Sequence, residues 1–225
     1  MRSRKLVIYG NGHMARTFLH FARQQFEVAG FTVDRVALAA PELESLPVVP
    51  FEEVERHFPA RDHFMITAVG FARMNRLRLQ KHAEAKARGY AFASYLHASV
   101  ERHPGLEFGE NCVVLDHVAL HPGTRMGHSN FLCSNISLGH GCVLGDGCWI
   151  NSGVAVGGET RIGSRTVLGI NATLGDNITI GEGCYIGANT LVARSTGPDE
   201  VHVSATGERF PMPSEDFLDF IGRRS

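Results

Sequence analysis

No apolar run in this chain is long enough to span a bilayer. No block of like charge marks a nucleic-acid or membrane surface, and no Cys-x-x-Cys spacing suggests a metal or redox pair. Lys and Arg number 22 against 23 Asp and Glu, so no strong field would steer a polyanion to the protein. The apolar stretch at residues 5–9 is shorter than the core of a signal peptide. These absences lead us to expect a cytoplasmic protein with no membrane, nucleic-acid or metal partner. The five cysteines are an odd number, and four of them (Cys112, Cys142, Cys148 and Cys184) share one phase of a repeat. We expect them reduced and inward, as small filler rather than a disulfide framework.

What is present is a period of six. Phe108, Val114, Leu120, Met126 and so on to Ile186 and Val192 make fifteen consecutive apolar positions without insertion, and Gly follows in ten of them. Neither a helix face nor a simple strand has this period; a hexapeptide repeat marks a parallel β-helix. Three hexapeptides make one triangular coil, so residues 18 apart stack, and the array predicts about five coils. Gly after each apolar residue is read as permitting the corner.

The residue before each apolar one points outward. Sorted by 18, Val113, Phe131, Trp149, Val167 and Tyr185 form one outward apolar ladder. A patch of that extent marks an interface, and we expect it to mediate a homotrimer, with burial under the C-terminal tail as the alternative.

Residues 1–98 alternate strand and helix signals, predicting a small Rossmann-like parallel α/β domain. Gly10, Asn11, Gly12 and His13 follow a strand and open a helix, which aims backbone N–H groups at an anion. The array occupies 104–193. A tail at 194–225 holds a loop or hairpin near 200–207 and a short amphipathic helix from Ser214, and is expected to cap one end of the β-helix while the N-terminal domain covers the other.

Several segments carry a resemblance. They are Ile8 to His13; Ala68, Val69 and Gly70 with Asn75 to Arg78; Leu138 to Gly145; and Leu168 to Ala172. With the hexapeptides, they resemble left-handed β-helix acyltransferases bearing an N-terminal nucleotide-sugar domain. That family includes sialic-acid O-acetyltransferases and the N-acetyltransferases of bacillosamine and perosamine synthesis. The resemblance implies acetyl-CoA as donor, a nucleotide-linked sugar as acceptor, a homotrimer, and surface-glycan synthesis. It implies His140 as general base, a residue type that titrates near neutrality, and a pantetheine path along Gly157, Gly158, Ile170, Gly175 and Ala188, with Gly158 as candidate oxyanion donor. It implies an acceptor site at Gly10, Asn11, Gly12 and His13 with Asp34; Asn75 and Arg78 either reach its phosphate or base or solvate a helix, and His121 is either a substrate contact or an exposed turn residue.

Two positions depart from the family pattern. Gly141 stands where Asp or Glu commonly follows this His, and Cys133 where Asn is common. The ring would then be held by a backbone carbonyl or by a carboxylate from a neighbouring chain, Asp116 being a candidate. The alternatives are an O-acetyltransferase of a sialic-acid-type sugar, or a catalytically reduced nucleotide-sugar-binding scaffold. A γ-class carbonic anhydrase also uses this helix with interfacial His ligands, but His117, His121 and His140 are spaced differently from its zinc set, and it lacks the first domain.

Overall fold

A computed structural model describes residues 4–222. The N-terminal domain is built on strands β1 (Lys5–Tyr9), β2 (Val28–Val33), β3 (Glu42–Leu43), β4 (Leu46–Pro50), β5 (His63–Thr67) and β6 (Ala91–Phe92). Their order is β3-β4-β2-β1-β5-β6, parallel except for the β3–β4 hairpin. Helices α1 (His13–Ala22), α2 (Val54–His57) and α3 (Arg76–Ala87) complete it. β1 has β2 on one side and β5 on the other, so the chain reverses direction across the sheet there. The crevice beyond the C-terminal ends of β1 and β5 is the place where open α/β sheets hold ligands.

The second unit is a parallel β-helix of two-residue rungs in three sheets. The first face stacks Tyr95–Leu96, Val113–Val114, Phe131–Leu132, Trp149–Ile150, Val167–Leu168, Tyr185–Ile186 and Val201–His202. Partners are 18 residues apart through the array, as in Phe131 with Trp149 and Ser137 with Ala155. The rungs begin at Tyr95, earlier than the hexapeptide column suggests. Val201–His202, expected in a loop or hairpin, pairs parallel with Tyr185–Ile186 as a further rung. The apolar column fills the interior from Val114 to Val192, whereas Phe108, near the open N-terminal end, is 40% exposed. Each buried Leu, Ile or Val there contributes roughly 1.5–3 kcal/mol.

The glycines after the column are not the corner residues. A Cβ on Gly139 would lie 2.6 Å from the Gly158 N, and one on Gly163 2.5 Å from the Glu182 N. They are glycine because successive coils stack backbone on backbone. The left-handed corner sits two residues later, at Asn111, His117, Gly123 and every sixth position to Asn189, all with positive φ. It is Gly or Asn at all but His117, Ser129, Glu159 and Arg165, as the cost of that conformation for other side chains demands.

The cysteine column does more than fill space. Cys142 Sγ donates to the Gly157 carbonyl at 3.2 Å, and Cys148 Sγ to Gly163 at 3.3 Å. At the same phase Thr160 Oγ1 donates to Gly175 at 2.8 Å and Asn130 Nδ2 to Gly145 at 3.0 Å. Each partner is 15 residues on. Where the column carries a small donor it satisfies an inward carbonyl beneath it; Val118, Ile136, Val154, Ala172 and Ile178 fill other places of the same column.

The apolar ladder is covered by the chain's own N-terminal domain. Val113, Phe131, Trp149 and Val167 share one buried cluster with Leu6, Ile8, Phe18 and Phe31. Thus the ladder is not a free trimer surface, nor does the tail cover it, and the first domain covers a face rather than an end. A ladder reads the same in sequence whichever surface lies upon it. The tail does close the last coil: Thr196 N donates to the Thr179 carbonyl at 2.9 Å. Helix α4 (Ser214–Gly222) buries none of its residues in the chain. Among the described residues no helix is long and apolar enough to cross a membrane.

Candidate functional site

Two regions carry chemistry. The first is a cleft of about 350 Å³ at the sheet's switch point, lined by Gly10, Asn11, Gly12, His13, Val69 and Gly70 among others. Gly10 has φ +132°, and a Cβ there would meet the Ala68 carbonyl at 2.7 Å, so the end of β1 passes close to the chain after β5. Gly12 has no such constraint, as open space surrounds its missing Cβ; a ligand can approach that backbone closely. The N-terminus of α1 opens here with no acidic residue in its first turn, leaving its partial positive charge uncompensated. Asn11 is held by donating to the Ala37 carbonyl at 2.7 Å.

The remaining acceptor residues lie elsewhere. Asp34 accepts from Lys81 Nζ at 2.7 Å. Burial would lower the Lys81 pKa, but hydrogen bonds to Asp34 and Glu84 outweigh it and raise the value. Asn75 and Arg78, expected to touch the acceptor, are fully buried between the domains. Arg78 donates to Asn75 Oδ1 at 3.0 Å and to the Gly147 and Cys148 carbonyls at 3.1 Å each. Its guanidinium stacks on the Trp149 ring at 5.2 Å, and burial lowers its pKa to about 10. Asn75 Nδ2 donates to the Arg165 carbonyl at 3.3 Å. Both residues clamp the first domain to the β-helix. Charge and helix position cannot distinguish such a clamp from a phosphate contact.

The second region is the edge of the β-helix between the second face (Ser137–Leu138, Ala155–Val156) and the third (Val143–Leu144, Arg161–Ile162). It is the edge opposite the face that the N-terminal domain covers. His140 is exposed there. Its imidazole lies against Gly158 in the next coil, where an added Cβ would be 2.7 Å from Nδ1 and 2.8 Å from Nε2. The His140 carbonyl accepts from the Glu159 N–H at 2.7 Å, which ties its backbone to that coil. The Gly158 N–H donates to no group among the described residues, whereas its carbonyl accepts from Asn177. Gly157 and Gly175 lie on this edge. His121 does too, half-buried and stacked on His103 at 5.6 Å.

Ile170 and Ala188 are exposed but stand on a different edge, between the first and second faces. Within one chain they do not join Gly157 and Gly158. Asp116 is on that edge as well, accepting from Ser134 Oγ and 3.9 Å from His117, so within one chain it stands apart from His140. Burial raises the thiols of Cys112 and Cys148, to about 11 and about 12, and raises that of Cys142; none is poised as a nucleophile. Among the described residues no three His, Cys, Asp or Glu converge to hold a metal.

Residues 159–194 match the family described as bacterial transferase hexapeptide (six repeats). No curated protein matches the chain. Among solved structures the chain is similar to the acetyltransferase domain of PglB from Neisseria gonorrhoeae FA1090, at 21% identity and a TM-score of 0.81, covering 90% of this chain and 97% of that one. It is similar to a histidine-to-asparagine variant of perosamine N-acetyltransferase from Caulobacter crescentus, in complex with CoA and GDP-perosamine, at 23% identity and a TM-score of 0.82, covering 89% and 93%. It is also similar to WeeI from Acinetobacter baumannii AYE, at 18% identity and a TM-score of 0.70, covering 90% and 97%. At these identities the likeness establishes the shared fold: a small Rossmann-like domain followed by a hexapeptide β-helix.

Proposed function

We propose that this protein is an acetyltransferase that moves acetyl from acetyl-CoA to an amino or hydroxyl group of a nucleotide-linked sugar, in the cytoplasm and for surface-glycan synthesis. The observation that carries the reading is the exposed imidazole of His140 lying against the bare backbone of Gly158. A thioester seated in that trough meets a base and an unpaired N–H at once. His140 takes the proton from the attacking amine or hydroxyl as its lone pair joins the carbonyl carbon. The Gly158 N–H stabilises the oxyanion. The C–S bond then breaks, and the proton passes from the imidazole to the departing thiolate. Gly157 and Gly175 leave room for the pantetheine arm, and no acyl-enzyme is needed.

The cleft at Gly10 to His13 suits the acceptor's diphosphate, which the N-terminus of α1 attracts. This cleft belongs to the domain on the first face, while His140 stands on the opposite edge. That arrangement favours a site shared between chains of a homotrimer, in which one chain's imidazole works on the acceptor held by its neighbour. The same sharing would bring Ile170 and Ala188 of one chain toward the glycine edge of the next. The perosamine enzyme's complex with CoA and GDP-perosamine supports these substrate classes by analogy of fold.

Thiol release from acetyl-CoA, measured against UDP-, GDP-, dTDP- and CMP-linked amino sugars, tests the reading. We expect turnover with one nucleotide class and a loss of about 10²- to 10⁴-fold in kcat for His140→Ala. Turnover unaffected by that change removes the mechanism. No turnover with any nucleotide sugar removes the acetyltransferase reading, and thermal stabilisation without turnover would make the protein a nucleotide-sugar-binding module.

A further inference from the structure

The geometry points to Glu159 as the positioning residue for His140, supplying from the next coil the carboxylate that the chain lacks at Gly141. This inference rests on the acetyltransferase reading for its kinetic part only. An exposed imidazole acting as a base needs a partner that fixes its tautomer and ring plane. The residue after His140 has no side chain, and the space it leaves is taken. A Cβ on Gly141 would lie 2.7 Å from Glu159 Cδ and 2.9 Å from Oε2. The imidazole of His140 leans the other way, over Gly158, the residue before Glu159. The two side chains therefore cross between adjacent coils, each lying over the other's glycine neighbour.

Two further observations support the assignment. Glu159 holds a left-handed corner at φ 59°, in a column that is otherwise mostly Gly or Asn. Two of the other exceptions are accounted for by structure. Ser129 is buried and hydrogen-bonded to Asn111 and His82, and Arg165 pairs with Glu182. The Glu159 carboxylate has no hydrogen bond or ion pair among the described residues, and neither does the His140 ring. A strained residue whose side chain does nothing for the fold is a mark of function. Both groups are exposed, so rotation of the Glu159 side chain carries its carboxylate to the ring nitrogen facing away from the thioester.

The test reads the imidazole directly. Nitrogen–proton spectra of the ring, with signals assigned by their loss in His140→Asn, are expected to show one dominant tautomer in the wild type and a mixture in Glu159→Gln. In turnover, Glu159→Gln is expected to lower kcat about 10- to 100-fold with KM nearly unchanged. Glu159→Asn suits the left-handed corner better and should keep or raise Tm while losing the same activity; a merely structural role predicts the reverse. Adding Gly141→Asp to Glu159→Ala should restore the single tautomer and part of kcat, because the space over residue 141 is then free. A tautomer distribution unchanged in Glu159→Gln overturns the inference. If the wild type turns over no acceptor, the acetyltransferase reading falls, and the spectra still decide whether Glu159 orients the ring.

Discussion

The guanidinium of Arg78 lies 5.2 Å from the centre of the Trp149 ring, with both side chains buried where the first domain meets the β-helix. Trp149 also stacks on Phe131 at 4.4 Å and meets Phe71 at 5.6 Å. This is an intrachain seam, and Trp149→Ala should destabilise the fold by about 3–5 kcal/mol. Equilibrium denaturation measures the loss. Sedimentation of the folded fraction should show an unchanged assembly; a stable, dissociated monomer would restore the ladder as an intersubunit surface.

Arg78 is charged, fully buried and only partly satisfied, as Nε and Nη1 find no partner. Arg78→Ala would strand the Gly147 carbonyl, whereas that of Cys148 keeps the Phe131 N–H, and would leave a cavity, at a cost of about 2–4 kcal/mol. Arg78→Met refills most of the volume without a buried charge and should cost distinctly less. Neither change should weaken nucleotide binding in the folded protein, which calorimetry can check; a specific loss of affinity would return Arg78 to the acceptor site.

Gly158→Ala is expected to separate activity from stability. The new methyl would sit 2.7 Å from His140 Nδ1, and the exposed ring must swing away. Tm should move by no more than about 2 °C, the scale of a surface change, while kcat falls at least about tenfold. A normal kcat would show that the ring's place over Gly158 is irrelevant to turnover.

The seam should weaken in acid. His82 Nε2 lies 3.1 Å from Glu110 Oε1, and Ser129 Oγ lies 3.0 Å from Nδ1. Burial lowers the His82 pKa, partly offset by Glu110. For Glu110, burial acts upward, but Lys86 and His82 outweigh it and lower the value. A histidine depressed in the folded state contributes stability that is full above its ordinary value near 6.5 and falls as pH drops through that value toward the folded one. The Glu110 contribution is full above about 4.5 and goes at lower pH still. Tm should therefore decline from pH 7.5 to 5, and less so in His82→Gln. A flat profile would argue against the network.

Thiol chemistry offers a check on the interior. Burial raises Cys133 to about 11, as it does Cys112. Native protein at pH 8 should resist alkylation at Cys112, Cys142 and Cys148, and denaturant should expose all five cysteines. Rapid native labelling at Cys142 would mean that the β-helix interior opens beside His140.

The chain's own residues determined the β-helix, its 18-residue stacking, the α/β domain before it and the Gly10 to His13 turn, because each is written as a local period or a short motif. His140 is singled out as the base through the resemblance of its segment, Leu138 to Gly145, to a family motif. Tertiary structure alone decided what covers the ladder of Phe131 and Trp149, and that Asn75 and Arg78 clamp two domains. The stacking by 18 already sets Glu159 in the coil next to Gly141; the structure adds that its carboxylate lies over that glycine. Outward apolar, basic and acidic side chains show only that something of suitable chemistry must meet them. Which surface does so depends on contacts between segments far apart in the chain, and no local pattern encodes those.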